Sequence, residues 1–284
     1  MIFQKEIRDK SQLWGVPTDT VDKDYVLGHF LAVFSNYYGN DLVFKGGTCL
    51  RKCYIEGYRF SEDLDFSSLA TNFQLDEKIL QKISEEIREN IGIQFFYEPI
   101  KILQHHNIPK GYQVNIRYWG ANHSKNQQPL PPLRWLTKIK LEVSSDELIL
   151  LPTPVKQIFH PYSDNLGGAK KIKCYAINEI VSEKLRALKQ RSYTAPRDFY
   201  DLYELTNNFS KQDWETLKPL FLKKMAHKNL TYHTPEDLIT AENLITVERA
   251  WATSVAHQIT NNAQPTSKEI IATVAKRIQT NLVL

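Results

Sequence analysis

Hydrophobic and polar positions in the first half of the chain follow both helical and strand periods. Residues 21–38 carry apolar side chains at helical spacing, which predicts a helix that ends near Gly39, and residues 75–91 predict an amphipathic helix. Five short segments have the alternating or continuous apolar pattern of strands: residues 42–44, 63–66, 93–103, 112–119 and 135–143. The first half is therefore predicted to mix helices and strands.

The second half has a different pattern. After Pro152-Thr153-Pro154 the strand-like patterns end, and from Ile177 onward the apolar spacing is helical almost to the end of the chain. Four prolines coincide with its interruptions: Pro196, Pro219, Pro235 and Pro265. We therefore predict two domains, a mixed domain over residues 1–160 and a mostly helical domain over residues 161–284.

The composition narrows the class of protein. Hydrophobic residues make up 42% and charged residues 24% of the 284 positions, which is ordinary globular usage. No apolar stretch approaches the ~20 residues that cross a bilayer. The N-terminus has no secretory pattern, so we expect a cytoplasmic protein without a membrane partner. The three cysteines form no disulfide framework, and Cys49 and Cys53 are interpreted as small core residues rather than zinc ligands.

Charge is distributed unevenly along the chain. Residues 1–150 hold 18 Lys and Arg against 19 Asp and Glu, whereas residues 151–284 hold 18 against 13, so the net charges are −1 and +5. A basic surface attracts phosphates, but an ordinary solvated face explains the same excess. Both interpretations stay open on this observation alone.

Two aspartates in the predicted strand 63–66 are the first candidates for chemistry. Asp63 and Asp65 are two residues apart, so both carboxylates project from one face of the strand. Carboxylates this close repel each other unless a cation joins them, and Mg²⁺ prefers such oxygen ligands. Glu142, on the polar face of the strand over 135–143, is the best candidate for a third ligand. Two metal ions held by these three carboxylates suit phosphoryl or nucleotidyl transfer.

The Gly-Gly-Thr sequence at residues 46–48 fits the same chemistry. Glycines allow backbone N–H groups to approach a phosphate closely, and the start of a following helix is electropositive. Thr48 is expected to cap that short helix or to donate its hydroxyl to a phosphate oxygen. A turn between strand and helix explains Gly46 and Gly47 about as well, and the combination with Asp63 and Asp65 is what makes the pattern specific.

Lys184 is the unusual residue of the second half. It falls within the apolar stripe of a predicted helix, where an ammonium group needs a partner. The side chain either extends to water or points into a cleft that holds anions, and the cleft is favoured. On the next helix Asp198 flanks the inner face, whereas Arg197 and Asp201 are expected to form a surface ion pair. Arg186 lies away from the stripe and is expected to be solvated.

These motifs together resemble a known family. The DNA polymerase β-like nucleotidyltransferase superfamily, and more narrowly its AbiEii/AbiGii toxin family, has a signature similar to Lys45-Gly46-Gly47-Thr48 followed by Arg59-Phe60-Ser61-Glu62-Asp63-Leu64-Asp65-Phe66. The C-terminal motifs of the same family are similar to Glu183-Lys184-Leu185-Arg186-Ala187, Arg191 and Arg197-Asp198-Phe199-Tyr200-Asp201-Leu202. The resemblance covers residues 44–205 in separate blocks.

The resemblance implies a fold and a site. The fold is α+β, with a nucleotidyltransferase-like mixed sheet and flanking helices in the N-terminal half and a helical bundle in the C-terminal half that completes the active-site cleft. The implied catalytic residues are Asp63, Asp65, Lys184 and Asp198. The implied nucleotide contacts are Gly46, Gly47, Thr48, Ser61, Lys184 and Arg191. Mg²⁺ (or Mn²⁺) is the implied cofactor and an NTP the implied substrate.

The resemblance also implies an activity. It is the transfer of NMP from an NTP to RNA, with the 3′ end of tRNA as the expected acceptor, by the toxin of a type IV toxin–antitoxin or phage abortive-infection system with a cognate antitoxin. Two other functions stay open: a catalytically inactive nucleotide- or RNA-binding module that acts through a protein partner, and an enzyme that nucleotidylates protein. The paired Asp63 and Asp65 argue against the inactive module, because a site without catalysis has no need of two repelling carboxylates.

Overall fold

The computed structural model describes residues 1–70, 72–124, 126–191, 195–260 and 265–283, with only the backbone of His105. The chain divides into two compact units. Unit 1 contains Met1–Glu147 and Thr153–Cys174, and unit 2 contains Leu148–Pro152 and Tyr175–Leu284. Within the described residues, all strands belong to unit 1 and the regular structure of unit 2 is helical.

Unit 1 is built on a mixed sheet. Its elements, in chain order, are α1 (Gln4–Trp14), α2 (Thr18–Tyr38), β1 (Leu42–Lys45), α3 (Gly46–Cys49), β2 (Asp63–Ser68), α4 (Glu77–Ile91), β3 (Gln94–Tyr97), β4 (Lys101–His105), β5 (Ile108–Trp119), β6 (Lys138–Ser144), β7 (Val155–Gln157) and β8 (Lys171–Lys173). The strand order is β1-β2-β6-β5-β3, and β4 also pairs with β5. Strands β2 and β6 are parallel, and the other pairs are antiparallel. The predicted α+β fold with a mixed sheet is confirmed.

The single strand predicted over residues 93–103 is wrong. Two strands, β3 and β4, form in this part of the chain. Pro99 lies between β3 and β4, and proline has no N–H group to donate to a β-ladder. Both strands then pair with different parts of the long β5, so that Gln94 lies opposite Trp119 and Lys101 lies opposite Gln113.

The apolar face of β2 anchors this strand in the core of unit 1. The Phe66 ring packs at centroid distances of 5.0 Å against Phe34 of α2 and 5.0 Å against Phe44 of β1. Leu64 is also buried. Because successive side chains of a strand point to opposite faces, this packing fixes Asp63 and Asp65 on the other face of the sheet.

The division between the units differs from the predicted boundary at residue 160. Strands β7 and β8 form an antiparallel ribbon, and Cys174 makes a parallel bridge to Phe44 of β1. Within the connecting segment, the Tyr162 hydroxyl donates a hydrogen bond to the carbonyl oxygen of Val21 in α2. These pairings hold Thr153–Cys174 in unit 1.

Unit 2 is a helical bundle, as predicted. Its helices are α5 (Ile177–Gln190), α6 (Pro196–Leu205), α7 (Lys211–His227), α8 (Ala241–Ser254) and α9 (Ser267–Asn281). Capping boxes at Ser210 and Thr266 begin α7 and α9, because each hydroxyl accepts a backbone N–H that has no partner inside its helix. Among the described helices, none combines the length and the apolar character needed to cross a bilayer.

Candidate active site

The register between β2 and β6 brings three carboxylates together. Asp65 pairs with Glu142, and Asp63 pairs with Lys140. Residues that lie in register on neighbouring strands point to the same face of a sheet, so Asp63, Asp65 and Glu142 share the face opposite the core. We call these three residues the carboxylate cluster. The structure therefore brings together the three residues that the sequence predicted as metal ligands.

Lysine side chains balance the carboxylate cluster only in part. Lys140 Nζ lies 3.8 Å from Asp63 Oδ2 and 3.4 Å from Glu142 Oε2. Burial and, next, the charge of Asp63 raise the pKa of Asp65 to about 6, while Lys45 acts in the opposite direction. Lys45 is shared with Glu147, 3.9 Å away. At neutral pH the cluster therefore carries excess negative charge.

Gly46 makes room for Asp65. Its φ of +78° lies in the left-handed region that favours glycine. A Cβ atom at this position would lie 2.6 Å from Asp65 Oδ2, closer than any real contact. The carboxylate of Asp65 therefore lies directly against the backbone of the turn that joins β1 to α3.

Gly47 makes room for two other side chains of the same motif. A Cβ atom here would lie 2.8 Å from Arg59 Nη2 and 2.9 Å from Ser61 Oγ. Arg59 and Ser61 are both buried. The segment before β2 thus packs onto the glycine turn, and this contact supplies a structural reason for Gly47 that the sequence alone did not reveal.

Thr48 differs from its prediction. The helix α3 begins at Gly46, so Thr48 lies inside it and is not its cap. Its hydroxyl is buried and donates a hydrogen bond to the backbone carbonyl of Asp63. Because the hydroxyl already donates its proton inside the protein, Thr48 positions the start of β2 rather than donating to a phosphate.

The donor set of the carboxylate cluster fits a divalent cation. Its ligands are carboxylate oxygens, which Mg²⁺ and Mn²⁺ prefer. The side chains of Asp63 and Glu142 are 34% and 36% exposed, so solvent reaches the cluster. A bound cation would offset the repulsion that contributes to the raised pKa of Asp65.

A second charged cluster lies within unit 2. Lys184 of α5 forms ion pairs with Asp198, at 3.2 Å between Nζ and Oδ1, and with Asp201. Arg191 pairs with the other carboxylate oxygen of Asp198. We call Lys184, Arg191, Asp198 and Asp201 the ion-pair cluster. Lys184 is buried and two aspartates of α6 hold it, so it does not extend to water.

Two predictions about this part of the chain are wrong. Asp201 is fully buried and does not form the expected surface pair with Arg197. It follows Asp198 by three residues, so the two carboxylates lie on one face of α6, and that face is the inner one. Arg186 is buried rather than solvated, because α5 packs against α7 as well as against α6.

Two site residues were missed from the sequence. Lys140 is two residues before Glu142, so its place on the polar face of β6 was predictable, but its contact with Asp63 depends on the strand register. Asp201 was assigned to the wrong face. Its spacing of three residues from Asp198 is the sequence signal that would have placed it beside Lys184.

Known proteins resemble the chain in sequence pattern and in fold. The sequence matches the family model described as "Nucleotidyl transferase AbiEii toxin, Type IV TA system" over residues 30–273. No curated protein matches the sequence. Among solved structures, the MenT4 nucleotidyltransferase toxin of Mycobacterium tuberculosis H37Rv is similar, with a TM-score of 0.60 and 20% identity over 99% of this chain and 89% of that chain. A candidate nucleotidyltransferase from H. pylori has a TM-score of 0.50 and 18% identity over 93% of this chain and 96% of that chain.

Proposed function

We propose that this chain, which belongs to the AbiEii nucleotidyl transferase toxin family, transfers NMP from an NTP to an acceptor hydroxyl. The family membership that the motifs predicted is confirmed by the match over residues 30–273. The observation that carries the proposal is the register that sets Asp65 beside Glu142, with Asp63 on the same face and Gly46 against the Asp65 carboxylate.

The carboxylate cluster is the proposed cation site. Asp63, Asp65 and Glu142 would hold Mg²⁺ or Mn²⁺, which when bound supplies Lewis-acid stabilisation of the charge that develops on the phosphates. Lys140 and Lys45 keep the cluster from carrying its full negative charge when no cation is present. Thr48 and Gly46 fix the positions of the two aspartates.

The proposed reaction exchanges one bond to phosphorus for another. The acceptor oxygen bonds to the α-phosphorus of the NTP, the bond from that phosphorus to the bridging oxygen breaks, and pyrophosphate leaves. In the cation-free site burial and the charge of Asp63 raise the pKa of Asp65 to about 6, so this carboxylate is ionised at neutral pH, and a cation would keep it ionised. Asp65 is therefore the proposed acceptor of the proton of the acceptor hydroxyl. The contacts of Lys184, Asp198 and Arg191 with substrate, and that of Ser61, stay predictions.

RNA is the proposed acceptor, with the 3′ end of tRNA as its expected site. The family is described as the toxin of a type IV toxin–antitoxin system, so the proposed biological partner is a cognate antitoxin. The net charge of +5 over residues 151–284 is compatible with a polyanionic acceptor.

Labelled NTPs test this proposal directly. The full chain is incubated with Mg²⁺, total RNA and each of the four α-labelled NTPs in turn, and RNA and protein are then separated. We expect label in RNA with the wild type, and its loss in Asp65→Asn, which removes the charge without changing the shape of the side chain. Asp9→Asn is the matched control, because Asp9 lies on the exposed surface of α1 in a pair with Lys5.

Each other outcome of this assay has a defined meaning. Label in protein instead of RNA would support NMP transfer but contradict RNA as the acceptor. Tight NTP or RNA binding without incorporation under any condition would contradict the enzyme and favour the inactive binding module. Equal incorporation by wild type and Asp65→Asn would contradict the assignment of the carboxylate cluster.

A further inference from the structure

Two histidines and an aspartate of unit 1 converge at a place that the proposed reaction does not use. His29 lies on α2, and His160 and Asp164 lie on the segment between β7 and β8. Asp164 Oδ2 is 3.3 Å from His29 Nε2, and Asp164 Oδ1 is 2.9 Å from His160 Nε2. We propose that His29, His160 and Asp164 bind a single transition-metal ion, Zn²⁺ by the chemistry of the ligands.

The separations of the donor atoms suit a zinc site. A tetrahedral ion with Zn–N and Zn–O bonds of about 2.0–2.2 Å holds its donor atoms about 3.4 Å apart. The distances of 3.3 and 2.9 Å run to different oxygens of Asp164, and one ligand atom from each of the three residues lies within 4.8 Å of the other two, so the side chains are close enough to share one ion. Two imidazole nitrogens and one carboxylate are a ligand set that zinc takes in proteins, whereas the all-oxygen carboxylate cluster favours magnesium or manganese.

Hydrogen bonds within the described residues pair His160 Nε2 with Asp164 Oδ1 but leave His29 Nε2 without a partner. His29 Nε2 is buried and has no hydrogen-bond partner there, although Asp164 is near it. A buried polar atom without a partner costs free energy, and a metal ion accepts the lone pair of a neutral imidazole. His29 therefore directs an unused ligand atom toward Asp164.

The charge of Asp164 also supports a metal ion at this place. Its partners in the described part of the chain are His29, His160 and the hydroxyl of Tyr25, and none of these is a permanent cation. The carboxylate thus lacks a fixed counter-ion, and a divalent cation would supply one.

The surroundings of the site hold its ligands in place. The Tyr25 hydroxyl donates a 2.7 Å hydrogen bond to Asp164 Oδ2, which is the usual support for a ligating carboxylate. His160 packs against α2 at Gly28, where a Cβ atom would lie 2.6 Å from His160 Nδ1. Tyr25 and Tyr162 enclose the histidine rings at centroid distances of 4.8–5.6 Å. A bound ion would fasten the segment between β7 and β8 to α2.

Metal content measures the proposal without reference to activity. Untagged full chain is stripped with a chelator, reloaded with Zn²⁺ or Co²⁺ and freed of excess metal, and bound metal is counted by mass spectrometry and by the visible absorption of tetrahedral Co²⁺. We expect one equivalent of Zn²⁺ and the Co²⁺ absorption in the wild type. Both are expected to be lost in His29→Ala and in His160→Ala.

Three variants make the result specific. Asp65→Asn should retain the zinc, because the carboxylate cluster is a different site, and His233→Ala should retain it because His233 is exposed on unit 2. Tyr25→Phe should weaken the zinc affinity by about 10- to 100-fold, as loss of an outer-shell partner does.

Three results would overturn the proposal. The first is a wild type that binds no zinc after reloading, which needs no variant to interpret. The second is equal zinc content in wild type and His160→Ala. If an alanine variant does not fold, Asp164→Asn keeps the size of the side chain, and retention of one zinc in that variant would overturn the proposal as well.

Discussion

The carboxylate cluster of unit 1 and the ion-pair cluster of unit 2 contain similar residues in opposite arrangements. In the carboxylate cluster three carboxylates from two strands share one face of the sheet, with Lys140 between two of them. In the ion-pair cluster two aspartates meet two basic side chains, and Asp198 and Asp201 both contact Lys184. The first arrangement needs a cation from outside to reach balance, whereas the second is already balanced. On the proposal above, the first arrangement is the cation site; the second joins α5 to α6, and its contact with substrate stays a prediction.

The largest expected effect concerns the carboxylate cluster. Asp65→Asn should lower NMP transfer by on the order of 10³-fold, because it removes a proposed cation ligand and the proton acceptor. It should not lower the free energy of unfolding, since a repelling charge is removed. Activity is measured by label incorporation and stability by denaturant unfolding. Loss of both stability and activity in this variant would show that the carboxylate cluster has a structural role, like the one expected of the ion-pair cluster.

The ion-pair cluster should respond in the opposite way. Lys184→Met should lower the free energy of unfolding by about 3–5 kcal/mol, because it leaves Asp198 and Asp201 buried without their shared partner. Lys211→Met is the control, since the pair of Lys211 with Glu215 is highly exposed and its loss should leave stability unchanged. Denaturant unfolding measures both variants. Unchanged stability in Lys184→Met would show that this lysine is free to serve a substrate.

The pH dependence of stability tests the raised pKa of Asp65 in the carboxylate cluster. Without divalent cations, Asp65 has a pKa near 3.8 when unfolded and about 6 when folded, so the folded state binds more protons between these values. Stability should therefore fall as the pH rises through this window, by on the order of 2–3 kcal/mol. Asp65→Asn should lack this fall. Denaturant unfolding in a chelating buffer at several pH values tests it, and a wild-type-minus-variant difference that is constant with pH would contradict the raised pKa.

A pair of glycines separates backbone strain from disturbance of the carboxylate cluster. Gly46 and Gly57 have φ values of +78° and +74°, but a Cβ atom would meet Asp65 only at Gly46 and would meet nothing within 4 Å at Gly57. Each Gly→Ala variant should lose about 1–2 kcal/mol of stability through strain. Only Gly46→Ala should also lose activity, which label incorporation would show. Equal activity in the two variants would disprove a need for the close approach of Asp65.

The smallest effect is expected at Lys140. Lys140→Met should change the stability of the cation-free protein by less than about 1 kcal/mol, because its side chain is 36% exposed. It should lower the Mg²⁺ concentration that half-saturates activity, since Lys140 competes with a cation for Asp63 and Glu142. A Mg²⁺ titration of label incorporation measures this. A higher Mg²⁺ requirement in the variant would assign Lys140 to substrate binding instead.

Local periodicity was sufficient to find the members of the carboxylate cluster. Asp63 and Asp65 alternate with the buried Leu64 and Phe66, so one strand period fixes which side chains share a face. The register that sets Asp65 beside Glu142 joins distant parts of the sequence, and no local pattern encodes it. The same holds for Thr48 of α3, whose hydroxyl donates to the backbone carbonyl of Asp63 in β2.

Periodicity misled where several neighbours cover one helix. The four-residue spacing of Arg197 and Asp201 suggested a surface pair, yet α6 packs against α5, α8 and α9, which buries Asp201. Which face of a helix is inner depends on how many elements surround it. His29 and His160 are a further case, because only the folded chain brings them to Asp164.

Binding of Mn²⁺, followed by the electron paramagnetic resonance signal of the free ion, tests the central claim most directly. The wild type is compared at neutral pH with the double variant Asp63→Asn/Asp65→Asn, so that any other binding site contributes equally to both. We predict that the wild type binds more Mn²⁺ than the double variant, and that Glu142→Gln weakens the same component. Superimposable binding curves for the wild type and the double variant would contradict the account.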